Sequence, residues 1–229
     1  MRFLSVAVAL VMLFSVGAMA QESGAFDLNG GVYLGNHTYW NELKSNALGF
    51  YASADASIPG LPVAITGSFA TFSPDKSEKH KSGAYFEEHT VTLFDLLVGY
   101  RVFGDLAVGA GWASYGLKGT GVGGPEKVKL DWSNGGFAIG GFGTLPLSDG
   151  FQASGKLLFV PSSKLKDKDS DNDGLDTNMF GFTVSATYAV NDNFGIEGGY
   201  RSLRIKSTEK DNDTEITTGG FFLGVSYAF

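Results

Sequence analysis

The polar segment DKDSDNDGLDTN, residues 167–178, has the residue types and spacing of a metal-binding loop. Three aspartates at alternate positions, followed by Gly174, match the first half of a calcium loop, because carboxylate oxygens suit Ca²⁺ and glycine allows the sharp turn. The twelfth position is Phe180 rather than glutamate. We predict a solvated acidic loop, and the alternative is a weak Ca²⁺ site. The predicted ligands are Asp169, Asp171, Asp173 and Asp176.

The three histidines are the other side chains suited to acid–base chemistry. His89 follows Glu87 and Glu88, so a carboxylate and an imidazole could exchange protons with a substrate there. His37 and His80 stand in other polar segments, and the sequence contains no G-x-S-x-G nucleophile motif. We predict no catalytic residues and no bound cofactor.

Composition and the N-terminal segment indicate an exported protein. The 229-residue chain has a net charge of -7 and no cysteine. Arg2, an apolar stretch over residues 3–16 and the A-M-A at 18–20 are typical of a secretory signal peptide. We therefore predict a signal peptide over residues 1–20 and one domain over 21–229. The acidic balance argues against nucleic-acid binding.

The rest of the chain is patterned as ten strands. Most are longer than an ordinary strand of about 5 to 6 residues, and they fit the roughly 9 to 11 residues of a tilted transmembrane strand. From these lengths we expect strands that barely exceed the thickness of a membrane. The predicted strands are 26–35, 47–57, 63–72, 89–102, 105–117, 131–145, 151–162, 179–190, 194–206 and 215–229.

The connections between these strands alternate in length. Short turns rich in proline, glycine, asparagine and aspartate alternate with longer polar loops, which is typical of an up-and-down barrel. We predict an all-β, antiparallel transmembrane barrel of ten strands, or eight if the first hairpin does not join. The turns are 58–62, 103–105, 146–150 and 191–193, and the loops are 36–46, 73–88, 118–130, 163–178 and 207–214.

Each predicted strand has one apolar face and one small or polar face. In a transmembrane barrel the apolar face contacts lipid, and the opposite face lines the interior. We predict a narrow polar lumen, whose charges form a structural ion network or line a small water path. The charges predicted to face it are Asp27, Asp55, Asp95, Arg101, Lys156, Glu197 and Arg201.

The last strand resembles the sorting signal of bacterial outer-membrane proteins, in which apolar residues alternate up to a terminal aromatic residue. The signal residues would be Phe221, Leu223, Val225, Tyr227 and Phe229. The domain as a whole resembles the small outer-membrane barrel superfamily, which includes OmpA-like barrels and minor porins. Its last hairpin resembles that of YfaZ-type barrels. The resemblance implies location in the outer membrane and contact with the barrel assembly machinery.

The function predicted from these observations is non-catalytic: a porin-like or structural barrel with five surface loops. A surface-binding protein or adhesin is the second hypothesis, and an omptin-like or lipid A-modifying enzyme at the loop end is the third. Basic loop residues could hold the phosphates of lipopolysaccharide, or could simply be solvated. These residues are Lys76, Lys79, Lys81, Lys127, Lys129, Lys164, Lys166 and Lys168.

Overall fold

The chain folds into ten β-strands, as described by a computed structural model. The structure describes residues 26–39, 43–75, 77, 85–123, 126–168, 174–210 and 214–229. The predicted signal peptide therefore lies outside the described residues. The strands are β1 Phe26–Tyr39, β2 Leu43–Ser57, β3 Val63–Pro74, β4 Tyr85–Phe103, β5 Leu106–Gly123, β6 Glu126–Ser148, β7 Phe151–Asp167, β8 Leu175–Ala189, β9 Phe194–Ser207 and β10 Glu215–Ala228.

The ten strands close into a single antiparallel barrel. Each strand pairs with its neighbours in the chain, and β1 pairs with β10 from Asp27↔Ala228 to Tyr39↔Ile216. Closure removes both sheet edges, so every strand has two hydrogen-bonded neighbours. The prediction of a ten-stranded barrel is confirmed, and the eight-stranded alternative is wrong. No helix in the described part of the chain is long and apolar enough to cross a membrane.

The strands on one side of the barrel are much longer than the sequence pattern predicted. β6 has 23 residues, which is about 75 Å along the strand at ~3.3 Å per residue. The predicted loop 118–130 is largely a hairpin of β5 and β6, paired from Lys118↔Asp131 to Val122↔Lys127. A β-ladder is held by backbone hydrogen bonds, so polar side chains do not end it. The expectation of strands that barely exceed membrane thickness was wrong, because β4 to β7 have 17 to 23 residues, against roughly 9 to 11 for a tilted transmembrane strand. We call β4 to β7 the projecting strands.

The barrel exterior is an apolar surface. On β10, Phe221, Leu223 and Val225 are 69%, 64% and 60% exposed, and outward-facing residues of the other strands continue this surface. The short turns at the opposite end are tight, and Gly104 and Gly150 adopt φ angles of 53° and 78° there. Glycine adopts this left-handed conformation without the strain that a Cβ would cause.

The interior of the barrel is not uniformly polar. Towards the loop end it is filled by large side chains that form one continuous buried cluster. Tyr33, Tyr39, Leu93, Leu117 and Val160 are all 0% exposed. The predicted narrow polar lumen is therefore wrong for this half, because aromatic and aliphatic residues of the projecting strands turn inward and pack against one another.

Candidate functional site

A cavity of about 820 Å³ occupies the short-turn half of the barrel interior. Residues from all four short turns line its mouth, so it opens at that end, and serines and threonines are common on its wall. We call it the mouth cavity. Six of the seven charges that the sequence predicted to face the lumen line it: Asp27, Asp55, Arg101, Lys156, Glu197 and Arg201.

The seventh predicted charge, Asp95, holds an ion cluster at the inner end of the mouth cavity. Its Oδ2 accepts hydrogen bonds from Ser68 Oγ at 2.6 Å and from Arg201 Nη2 at 2.8 Å. Its Oδ1 pairs with the Lys156 ammonium. Lys156 and Arg201 also donate to Ser68 Oγ, each at 2.9 Å. One carboxylate therefore serves two cations, and a buried charge needs such compensation.

Glu197 lines the same cavity but is bound differently. Its Oε2 accepts a hydrogen bond of 2.8 Å from the Tyr51 hydroxyl. Tyr51 reaches it across Gly224 and Gly31, which separate the two residues in the strand register. The rings of Tyr51 and Phe222 pack with centroids 4.4 Å apart. Glu197 makes no ion pair with any described residue, although Arg201 is four residues away on the same strand.

The wall nearer the mouth carries two facing carboxylates. Asp27 of β1 is the direct cross-strand partner of Asp55 of β2. Like charges in this position repel each other. Arg101 sits near the mouth, where it donates to Ser57 Oγ and lies 3.9 Å from Asp105. Neither Asp27 nor Asp55 has an ion-pair partner in the described part of the chain.

An aromatic plug fills the interior between the ion cluster and the loop end. His37 lies at its centre: its Nδ1 hydrogen-bonds the Thr218 hydroxyl, and its Nε2 lies 3.2 Å from the Tyr115 hydroxyl. The His89 ring centroid is 6.3 Å from that of His37. Both histidines are buried. The plug consists of Tyr33, His37, Tyr39, Phe72, Phe86, His89 and Tyr115.

A β-bulge explains how Phe86 and His89 both reach the plug. The two residues are an odd number of positions apart, which would put them on opposite faces of a regular strand. The register of β4 against β5 shifts between them, so both turn inward. His89 therefore lies in a packed interior rather than on an open surface, and neither of its ring nitrogens has a side-chain hydrogen-bond partner among the described residues.

Ion pairs stabilise the outer surface of the projecting strands. Asp131 lies between Lys118 and Lys168, pairing with the first and lying 3.8 Å from the second. Lys127 Nζ donates to Glu87 Oε2 at 2.6 Å, and this hydrogen bond raises the pKa of the exposed Lys127 above its usual value. Two of the basic residues predicted for this surface, Lys127 and Lys168, are therefore paired with acidic neighbours.

The predicted calcium ligands lie mostly outside the described residues. Asp169, Asp171 and Asp173 fall there, as do His80, Lys76, Lys79 and Lys81. Asp176, the fourth predicted ligand, is the second residue of β8 and lies 3.7 Å from Lys164 Nζ. The described residues contain no group of three or more acidic, histidine or cysteine side chains placed to hold a metal ion. The calcium site stays a prediction.

The predicted sorting signal lies along β10 and just beyond it. Phe221, Leu223 and Val225 point outward, and Tyr227 packs edge-on against Phe194 and the terminal Phe229.

Sequence analysis missed the aromatic plug and Ser68. The signals available were weak, because His37 and Phe86 fell in segments predicted to be loops.

Comparison with solved structures supports the barrel fold. The chain is similar to the outer membrane protease OmpT of Escherichia coli, with a TM-score of 0.50 and 13% identity over 89% of this chain and 96% of that chain. It is also similar to the translocator domain of the autotransporter NalP of Neisseria meningitidis (TM-score 0.47, 11% identity, 98% and 97% covered). A third similar structure is the Ail protein of Yersinia pestis (TM-score 0.41, 12% identity, 90% and 99% covered). No family model and no curated protein sequence matches the chain. The narrower resemblance to OmpA-like or YfaZ-type barrels stays a prediction.

Proposed function

We propose that this chain is a non-catalytic barrel of the bacterial outer membrane whose interior is blocked. The apolar exterior and the absence of sheet edges among the ten strands suit a bilayer, where an unpaired backbone group costs several kcal/mol. The short turns then face the periplasm and the long hairpins face outward. The OmpT-like fold is consistent with this location.

The packed aromatic plug is the observation that carries the non-conducting role. Residues that line a water-filled pore are accessible to water, whereas the plug residues Tyr33, Phe72 and Tyr115, on three different strands, are at most 2% exposed although they face the interior. The ion cluster adds a second closure beneath the plug. The structural alternative of the sequence analysis is therefore favoured over the porin-like one.

Bilayer recording tests this proposal. The folded chain is reconstituted into planar lipid bilayers, and circular dichroism of the same preparation checks that the barrel is intact. We expect no discrete current steps. Regular steps from folded protein would make the chain a pore and would show that the packed interior opens in the membrane.

Accessibility labelling tests the location and orientation. The sequence has no cysteine, so single variants such as Asp149→Cys in a short turn and Lys166→Cys near the loop end report one position each. In intact cells, a membrane-impermeant maleimide should label only Lys166→Cys. Asp149→Cys should react after the outer membrane is permeabilised. Equal labelling of the two variants in intact cells would contradict the orientation.

A surface-binding role is the second candidate, and the projecting strands favour it. Lys129 and Lys166 point outward beyond the apolar surface and make no ion pair with a described residue. They could bind phosphates of lipopolysaccharide. Co-purification of lipopolysaccharide with the wild-type chain, reduced in a Lys129→Gln, Lys166→Gln variant, would support this role. Equal amounts with both chains would refute it.

A rim enzyme is less well supported. The long strands remove one argument against it, since a pocket on the loop side is lined by Glu87, Glu88 and His89. His37, however, is fully buried with both ring nitrogens engaged, and His89 is packed within the plug. Hydrolysis of a peptide or of lipid A that is lost in His89→Ala would revive this hypothesis.

A further inference from the structure

The aromatic plug contains two histidines and no acidic side chain. His37 and His89 are 0% and 4% exposed, and their ring centroids are 6.3 Å apart. The other members of the plug are tyrosines and phenylalanines. Histidine is the side chain whose charge normally changes between about pH 5 and 8. A proton on either ring would therefore place a positive charge inside a packed aromatic interior.

The contacts of His37 suit the neutral form of its ring. Its Nδ1 contacts the Thr218 hydroxyl, and its Nε2 contacts the Tyr115 hydroxyl. A neutral imidazole has one donor nitrogen and one acceptor nitrogen, and a hydroxyl can serve either of them. Neither hydroxyl has a charge that would balance a proton on the ring.

His89 has still less to balance a proton. It has no side-chain hydrogen-bond partner among the described residues. Its ring packs against those of Tyr39 and Phe86, with centroids 5.5 Å away in each case. Aromatic faces attract cations, but a buried charge also requires a counter-charge or water.

The side chains that surround the pair are neutral. They come from six strands, and the tyrosines, the only titratable ones among them, have no charge at neutral or acidic pH. In strand order from β1 to β5, followed by β10, these neighbours are Tyr39, Ser45, Phe72, Phe86, Tyr115 and Thr218.

No charged side chain in the described part of the chain compensates for a proton on the pair. The two rings interact electrostatically with each other, and two charged rings would repel. Arg201 of β9 is itself positive, and Asp167 of β7 is three strands away from β4. The two acidic residues that precede the second histidine lie outside: Glu87 pairs with Lys127, and Glu88 is exposed.

The histidine pair lies beyond the apolar exterior of the barrel. On β1 the exposed apolar residues end at Leu34, and the outward neighbours of His37 are Asn36 and Thr38. The wall around the pair therefore borders water rather than lipid tails. In the proposed orientation this end of the barrel faces the outside of the cell, so the pH of the medium acts on it.

We propose that the aromatic plug is an acid-sensitive closure: protonation of His37 and His89 unpacks it and admits water to the loop half of the barrel interior. The inference goes beyond the proposed function, because it states a condition under which the outer part of the block is released. The ion cluster lies beneath the plug, so this access does not require conduction through the barrel. Only the side from which water enters depends on the proposed orientation.

Cysteine labelling of the full chain folded in lipid vesicles tests the proposal. Leu117→Cys places a thiol at an inward-facing position of the buried cluster that is 0% exposed. Lys166→Cys gives an exposed reference at each pH, because the reactivity of a thiol itself falls in acid. The ratio of the two labelling rates therefore measures the opening of the interior.

The expected pH dependence follows from the number of protons taken up. A solvated histidine binds a proton below about pH 6.5, so the ratio should be constant above about pH 7. Between about pH 6 and about pH 5 it should rise about tenfold for each proton that opening takes up, and about a hundredfold for two.

Histidine variants identify the groups responsible. His37→Gln keeps groups that can hydrogen-bond both hydroxyls, and His89→Phe keeps the aromatic packing. Each should reduce the rise to about tenfold, and the double variant should show none. His80→Gln is the matched control, since it removes the third histidine of the sequence and should leave the rise unchanged.

Three results would overturn the proposal. A constant ratio in the wild-type background would mean that acid does not open the plug. A rise that persists in the double variant would assign the response to other groups, such as the carboxylates of the mouth cavity. Loss of the β-sheet signal in circular dichroism over the same pH range would mean that acid unfolds the whole barrel. Current steps at neutral pH would instead contradict the proposed function, so the two failures are distinguishable.

Discussion

Replacing Asp95 by asparagine should strongly destabilise the barrel. Asp95 is 1% exposed and faces both Lys156 and Arg201, so the substitution leaves two cations in the interior without a counter-charge. Removing one partner of a buried ion pair typically costs about 3–5 kcal/mol. The amide can still accept one hydrogen bond from Ser68 or Arg201, so we expect about 3 kcal/mol, the lower end of this range.

Equilibrium unfolding in guanidinium chloride, with the chain folded in lipid vesicles, measures this loss. A double-mutant cycle that combines Asp95→Asn with Arg201→Met isolates the interaction energy between the two residues. Replacing all three ions by apolar residues should recover much of the stability, since such exchanges are often neutral. The exposed pair Arg204–Glu215 is the control, and Glu215→Gln should cost less than about 1 kcal/mol.

A loss below about 1 kcal/mol for Asp95→Asn would refute this reasoning, because it would mean that water already solvates the cluster. A coupling energy near zero between Asp95 and Arg201 would refute it as well. Added salt gives an independent check, since the contribution of a buried pair should change little while that of the control pair falls.

Two further predictions each compare two substitutions in opposite environments. Val184→Arg places a charge on the apolar exterior and should cost about 2–4 kcal/mol of unfolding free energy in vesicles, whereas Ser185→Arg enters the polar cavity and should cost less; the reverse order would mean that the faces are misassigned. Gly220→Ala would press a methyl group against the backbone of Leu34 and Gly35 and bring it within 2.8 Å of the Tyr33 ring, and it should lower stability by about 1–3 kcal/mol. Gly155→Ala meets no atom within 4 Å, so its unfolding midpoint should match or exceed that of the wild type; equal losses in the two glycine variants would contradict the close packing at Gly220.

The fold could be predicted because its pattern is local. Alternation in segments such as 180–190 and 221–229 assigns an apolar face to each strand, and tight turns set the order of the strands. That Asp95 and Arg201 both face the interior also follows from this alternation. Their pairing does not, because they lie on strands far apart in the sequence and meet only across the closed barrel.

Bulges limited the prediction of the interior. The register shifts between Phe86 and His89, and again between Val160 and Ser163, each reverse the face that simple alternation assigns. All four residues are buried, because each shift lets both members of a pair face the interior. The polar residues of the projecting strands caused a different error. Polarity indicates exposure to water, but the sequence analysis took it to indicate a loop.

The seam between β1 and β10 has a consequence for how the molecule forms. Every other pairing joins strands adjacent in the chain, so those hairpins can form early and locally. The seam joins the two ends of the domain and requires closure of a loop that contains all the other strands, which is the slowest kind of contact to make. Until it forms, the chain is an open sheet with two unpaired edges, able to pair with another copy. We therefore expect the last step of folding to be rate-limiting and to compete with aggregation.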